Sequence, residues 1–307
     1  MNSSRRNFLK STAAAVAFSA LAGRTPEAVA QEVKKEIYVA CNQYAFSSYL
    51  WRDGIDAAKD VDKALEIMKA NSIDGVELMF NQAEEIAPFA EKLKKHDLEM
   101  RTLYTSPNFH EKEVAEAEIK RVVDLGRAAK DHGIQIIVIN MAVKSGKTDE
   151  ELVLQSENTN RAGAELRKFG VALAFHYHTT ELEFGGREFH HVMCGTQPEN
   201  LTICFEMQWS YRASENSAVA VYDHLKLYGD RVSCIHLRQS KNGIWTETFG
   251  DGDIDNQRLV DGLQKLGKKP ILTLEQAAEQ GTEHTLTAAE VFRKSADYIH
   301  KTYAAIQ

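Results

Sequence analysis

The chain has 307 residues, 43% hydrophobic and 26% charged, with a formal net charge of −7. That is an ordinary globular balance, with enough chain for one large domain and a real core. A net negative surface does not attract phosphate backbones, and no Lys/Arg cluster follows residue 30, so nucleic acid is disfavoured as a general partner and none is expected.

The first thirty residues stand apart from the rest. Arg5 and Arg6 precede Asn7-Phe8-Leu9-Lys10, an apolar run extends from Ser11 to Gly23, and Ala28-Val29-Ala30 follows with small-x-small spacing. This order is that of a cleaved signal peptide, and the adjacent arginines mark the twin-arginine type. The apolar run is short for a bilayer span. The expectation is an exported, periplasmic protein with no stable membrane anchor after cleavage. Residues 1–30 hold four basic residues against Glu27, so removing their +3 takes the net charge from −7 to −10.

From residue 31 onward the pattern predicts one domain, 31–307, in which short apolar strands alternate with longer amphipathic helices. The strand candidates are 37–46, 75–80, 99–106, 134–142, 171–178, 201–209, 231–239 and 270–276. Between them, helical periodicity covers 61–72, 84–96, 115–132, 151–169, 216–228, 255–266 and 287–306. Gly133, Gly170, Gly229 and Gly267 fall where helix C-caps are expected. The segment 179–200, with Gly185, Gly186, Gly195 and Pro198, reads as a poor helix. Eight strand–helix units in this length predict a closed α/β (β/α)8 TIM barrel. An open doubly wound sheet lacks its Gly-x-Gly-x-x-Gly signature after the first strand.

Barrel sites lie at the carboxyl ends of the strands. Strand two ends with Glu77, and strand five with His176-Tyr177-His178 followed by Glu181. Strand six carries Glu206 and Trp209, strand seven His236 and Arg238, and strand eight Glu275. A carboxylate in an apolar strand is costly unless paired or metal-bound. Alternation puts Cys204 with Glu206, Cys234 with His236, and Thr273 with Glu275 on shared faces. One divalent cation (Mn, Zn, Co or Fe) held by Glu206, His236 and Glu275, with His176 or Glu181 as the fourth ligand, is the simplest common partner. Trp209 and Tyr44 offer faces for a sugar, and Arg238 is the nearby cation. The four cysteines, Cys41, Cys194, Cys204 and Cys234, lack zinc-finger spacing, and Cys204 and Cys234 read as small buried hydrophobes. Asp251-Gly252-Asp253 is a turn in the loop above the mouth.

The order Gly75-Val76-Glu77-Leu78, Phe175-His176-Tyr177-His178 with Glu181, Ile235-His236-Leu237-Arg238, the loop 250–255, and Leu274-Glu275 resembles the xylose-isomerase-like barrel superfamily of sugar phosphate isomerases and epimerases. The Phe175-His176-Tyr177-His178 run resembles the His-Asn-His element of an exported branch of that group. The resemblance implies a metal held by carboxylates on strands five, six and eight and a histidine on strand seven. His236 and Glu275 match that pattern. Glu206 stands where Asp is usual, His176 where Glu is usual, and Arg238-Gln239 where Lys-Asp is usual. The resemblance further implies a metal-dependent isomerase or epimerase that abstracts a proton beside a polarised carbonyl of a sugar, keto sugar or polyol. Catalytic roles then fall to Glu275, Glu181, His178, Glu77 and Arg238, and substrate contacts to Trp209, His178, Arg238 and Tyr44. The same apparatus serves a dehydratase or lyase on a keto sugar, inosose or 3-keto-glycoside. A carbohydrate-binding barrel without catalysis would keep the aromatics and need no metal. The type IV endonuclease branch is disfavoured, because its histidine-rich trinuclear zinc set is missing and His110 alone does not restore it. A homo-oligomer is left open.

Overall fold

The computed structural model describes residues 37–306, and the expected export segment lies outside the described residues. Eight parallel strands close into a barrel: β1 (Val39–Asn42), β2 (Gly75–Met79), β3 (Thr102–Thr105), β4 (Ile136–Ile139), β5 (Ala172–Phe175), β6 (Thr202–Glu206), β7 (Val232–Leu237) and β8 (Ile271–Leu274). Each strand pairs with its neighbours in sequence, and β8 closes on β1 through Val39↔Leu272 and Cys41↔Leu274. The expected (β/α)8 TIM barrel is therefore the fold.

The strands are β-branched and aliphatic because both faces are covered. The Ile-Ile-Val-Ile of β4 is buried throughout. Inside the barrel, Tyr104, Ile136, Val138, Ala174, Cys204 and Cys234 form a plug, and the larger core lies between the strands and the helices. Cys204 and Cys234 face each other in register as buried free thiols. The helix Lys112–Lys130 lays Ala115, Ile119, Val122, Leu125 and Ala129 on the barrel, which is the stripe its 3.6-residue period requires. Thr148 and Thr287 start their helices with capping boxes to Glu151 and Glu290.

The strands are shorter than expected, and the difference is physical at two places. The first predicted strand stops at Asn42, whose side chain accepts the Tyr44 N–H at 2.8 Å and caps a helix over Gln43–Arg52. Tyr44 and Phe46 thus lie on a helix. The sixth stops at Glu206, and Trp209 lies on the helix Met207–Ala213. The segment 179–200 does form a helix, Glu183–Gly195, broken at its start by left-handed Phe184, Gly185 and Gly186. Gly133 and Gly170 end their helices at φ of 79° and 77°. Gly229 instead keeps a right-handed φ of −60° and opens a 3-10 turn. A short hairpin, Ser240–Lys241 with Ile244–Trp245, follows β7.

Candidate metal centre

The register of the barrel brings the polar strand ends together. Glu206 pairs across with His236, and Thr273 with His236 on the other side, so Glu275 follows two positions on. His176 comes directly after β5, where its N–H reaches the Ile139 carbonyl at 2.7 Å. The donor atoms of His176, Glu206, His236 and Glu275 all lie within 4.8 Å of one another. Glu206 Oε1 is 3.0 Å from His176 Nε2 and 2.7 Å from His236 Nδ1. Glu275 Oε1 is 3.4 Å from His236 Nδ1 and 4.0 Å from His176 Nε2. Three of the four side chains are fully buried and Glu275 is 6% exposed.

These groups are close but not hydrogen-bonded. Among the described residues, neither oxygen of Glu206, nor His176 Nε2, nor His236 Nδ1 has a hydrogen-bond partner of proper geometry. Buried polar atoms left unpaired at such short range call for a missing partner. Ligands about 2.1 Å from a divalent ion stand roughly 3 to 3.5 Å from each other, and the separations here, 2.7 to 4.0 Å, scatter about that spacing. Two imidazoles and two carboxylates are also a borderline donor set suited to Mn, Zn, Co or Fe. The four residues fit one divalent metal. The fourth member of the cluster is His176, and Glu181 is not in it.

Electrostatics agree. Burial alone would push the His236 imidazole down, but Glu77, Glu275 and Glu206 around it hold it well above its ordinary value. The pocket therefore demands positive charge. Burial likewise pushes the Glu275 carboxyl up, and Arg238, His236 and His176 outweigh it, holding Glu275 below the usual carboxylate range. Glu77 Oε1 lies 2.8 Å from His236 Nε2 and accepts from Asn42 Nδ2 at 2.7 Å. It stands against Nε2, and Nδ1 is the ring nitrogen turned toward Glu206 and Glu275.

Above the quartet opens a cavity of about 590 Å³, walled among others by Tyr44, His178, Trp209, Arg238, Trp245 and Glu275. The expected substrate residues thus all line one cavity, with Tyr44 at its rim, 54% exposed. Burial, then His176, pushes the His178 imidazole down to about 3, so it is neutral at ordinary pH. Arg238 Nε donates to the Glu275 carbonyl at 2.9 Å, and its Nη2 pairs with Glu275 Oε2 at 2.7 Å. Glu181 and Glu77 lie outside the cavity wall. Glu181 Oε2 accepts the His178 N–H at 2.8 Å, and burial raises its carboxyl. His110 is buried apart from the quartet. A larger cavity, about 750 Å³, sits at the amino-terminal ends of the strands beside Tyr38, Asp74, Glu99 and Arg101. It contains none of the quartet residues.

Three site residues escaped the sequence reading. Asn42 ends β1 and pairs with Glu77 of β2, so a search of strand ends finds it. Tyr104, whose hydroxyl is 3.3 Å from His176 Nδ1, lies in an apolar strand with nothing in its neighbourhood to mark it. Trp245 sits on the hairpin, and its only sequence signal is the Asn242-Gly243 turn, both residues left-handed at φ of 57° and 79°.

The Xylose isomerase-like TIM barrel family matches residues 65–302. No curated protein matches the chain. Among solved structures, a sugar phosphate isomerase/epimerase from Parabacteroides distasonis superposes with a TM-score of 0.71 at 14% identity, covering 91% of this chain and 99% of that one. D-allulose 3-epimerase from Methylomonas sp. gives 0.65 at 12%, covering 87% and 98%. A xylose isomerase-like TIM barrel protein from Mycobacterium smegmatis in complex with magnesium gives 0.62 at 13%, covering 89% and 98%. These likenesses show the fold, and the family match spans most of the chain: the protein belongs to the Xylose isomerase-like TIM barrel family.

Proposed function

We propose that the protein is an isomerase or epimerase of a sugar or keto sugar, acting by removal of a proton from the carbon beside a carbonyl. The carrying observation is the buried quartet of His176, Glu206, His236 and Glu275, which meets the aromatic-walled cavity through Glu275. A divalent ion held there would polarise a carbonyl and its neighbouring hydroxyl.

The protein's own groups supply the rest. Glu275 is the one member of the quartet on the cavity wall. It stays ionised, is steadied at Oε2 by Arg238, and is the base. Neutral His178 can donate to or accept from a substrate hydroxyl. Trp209 and Tyr44 offer apolar faces to the C–H face of a ring. Glu181, behind the cavity wall, holds the His178 backbone through Oε2, and Glu77 orients His236. Two of the solved structures with this fold are named as 3-epimerases of D-allulose and L-ribulose, so keto sugars head the substrate panel.

The test is NMR in deuterated water with metal-loaded protein and a panel of ketoses, aldoses and inososes. Deuterium entering beside the carbonyl with the carbon skeleton kept is the expected result. Release of water or an aglycone replaces the isomerase by a lyase. Sugar binding without any proton exchange overturns catalysis in favour of a binding barrel.

We further propose export by the twin-arginine route, supported by Arg5-Arg6 and the apolar run behind them. Replacing both arginines with lysine leaves the precursor in the cytoplasm. Unchanged export overturns the proposal.

A further inference from the structure

The cavity wall contains donors with nothing to bind. Arg238 is 2% exposed. Its Nε and Nη2 are taken by the carbonyl and carboxylate of Glu275, while Nη1 has no partner among the described residues. The indole N–H groups of Trp209 and Trp245 are likewise buried and unpartnered. These three residues touch one another. The guanidinium carbon lies 4.2 Å from the Trp245 ring centre and 5.2 Å from that of Trp209, and the two indoles meet edge to face at 5.8 Å. All three line the cavity that meets the metal quartet.

An unpaired buried donor is costly, and three in one corner mark a place for an acceptor. Charge selects the acceptor's kind. With its imidazoles neutral, as ligands must be, the quartet together with Glu77 and Arg238 sets three carboxylates against one guanidinium and one divalent ion. The formal sum is zero, so a monoanion meets no repulsion once the metal is in place. With Glu275 occupying one edge of the guanidinium, the edge that includes Nη1 is left over. That planar edge fits a planar carboxylate, which accepts and never donates.

Resting on the isomerase reading above, we propose that the substrate is a sugar acid, whose carboxylate binds the Arg238–Trp209–Trp245 corner while its carbonyl end faces the quartet. Metal-loaded wild-type protein is titrated by calorimetry with matched sets: glucose, glucuronate and glucose 6-phosphate, and the galacto and manno equivalents. In at least one set the uronate binds about tenfold or more tightly than the neutral sugar, the span of one charge-assisted hydrogen bond. Arg238→Gln loses that preference and Arg238→Lys keeps part of it, with folding checked by circular dichroism. Equal binding of uronate and neutral sugar, or a stronger response to the phosphate ester, overturns the sugar-acid assignment. Proton exchange on neutral sugars would then still carry the isomerase reading. Binding of no sugar and no uronate, with no exchange, overturns both.

Discussion

Glu77 shows how a single side chain acts at a distance from the substrate. It is fully buried, outside the cavity wall, and bound between Asn42 and His236. Its place against Nε2 leaves Nδ1 toward Glu206. Glu77→Gln removes the charge and keeps the shape, and metal affinity falls roughly 10- to 100-fold, as for other partners of ligating histidines. Competition with a fluorescent chelator measures it, and an unchanged affinity would make Glu77 a packing residue. His224 supplies a pH signature far from the mouth. Burial, then His190, pushes its imidazole down to about 4, whereas the unfolded chain titrates near 6.5. Between those values the unfolded state binds more protons. Stability from this group is therefore complete above pH 6.5 and declines as the pH falls toward about 4. Its Nδ1 lies 2.9 Å from Ser210 Oγ, and that hydroxyl lies 3.0 Å from Tyr177. Denaturant midpoints measured from pH 7.5 to 4 should fall less steeply in His224→Gln than in the wild type. Parallel curves would contradict the assignment.

At the scale of elements, the hairpin after β7 decides the cavity's shape. Asp253 clamps it by accepting from Ser240 Oγ, Asn242 N–H and Gly243 N–H at 2.7 to 2.9 Å. Arg212 reaches the Gly243 carbonyl and lies over the Trp245 ring at 4.6 Å, and Glu279 accepts the Trp245 backbone N–H at 2.7 Å. The Asp-Gly-Asp turn noticed in the sequence thus acts as a brace for a wall residue. Asp253→Ala frees the hairpin and misplaces Trp245, and KM should rise about tenfold with a smaller change in kcat. Equal losses in both constants would place Asp253 in the chemistry instead. The hairpin also shows where local pattern fails. Two-residue strands carry too little alternation to be seen, and only the Asn-Gly turn betrays them. The same limit hid the helices after β1 and β6. Aromatic residues such as Tyr44 and Trp209 suit strands on average, but at Asn42 the cap turns the chain into a helix, and β6 gives way to a helix at Glu206.

For the whole molecule, the alternation of eight apolar strands with amphipathic helices made the barrel legible, because both periods are imposed by burial and recur around the ring. The quartet was legible for a related reason. Glu206, His236 and Glu275 are ionisable groups in otherwise apolar strands, and only a common partner makes that tolerable. What pattern could not supply was the angle at which the strand-five side chains enter. That angle decides between His176 and Glu181, and it depends on the turn after Phe175, not on local propensity. Among the described residues no helix is long and apolar enough to cross a membrane, and the ring of strands has no open edge. Charge, however, is unbalanced at the mouth, where buried carboxylates surround two imidazoles. The most direct measurement is metal content by elemental analysis of protein purified without chelator, paired with thermal unfolding before and after added Mn or Zn. The account predicts one divalent ion per chain and an unfolding midpoint raised by metal in the wild type, with both effects lost in Glu206→Gln. No stoichiometric metal and no affinity for either ion, or an undiminished response in Glu206→Gln, would contradict it.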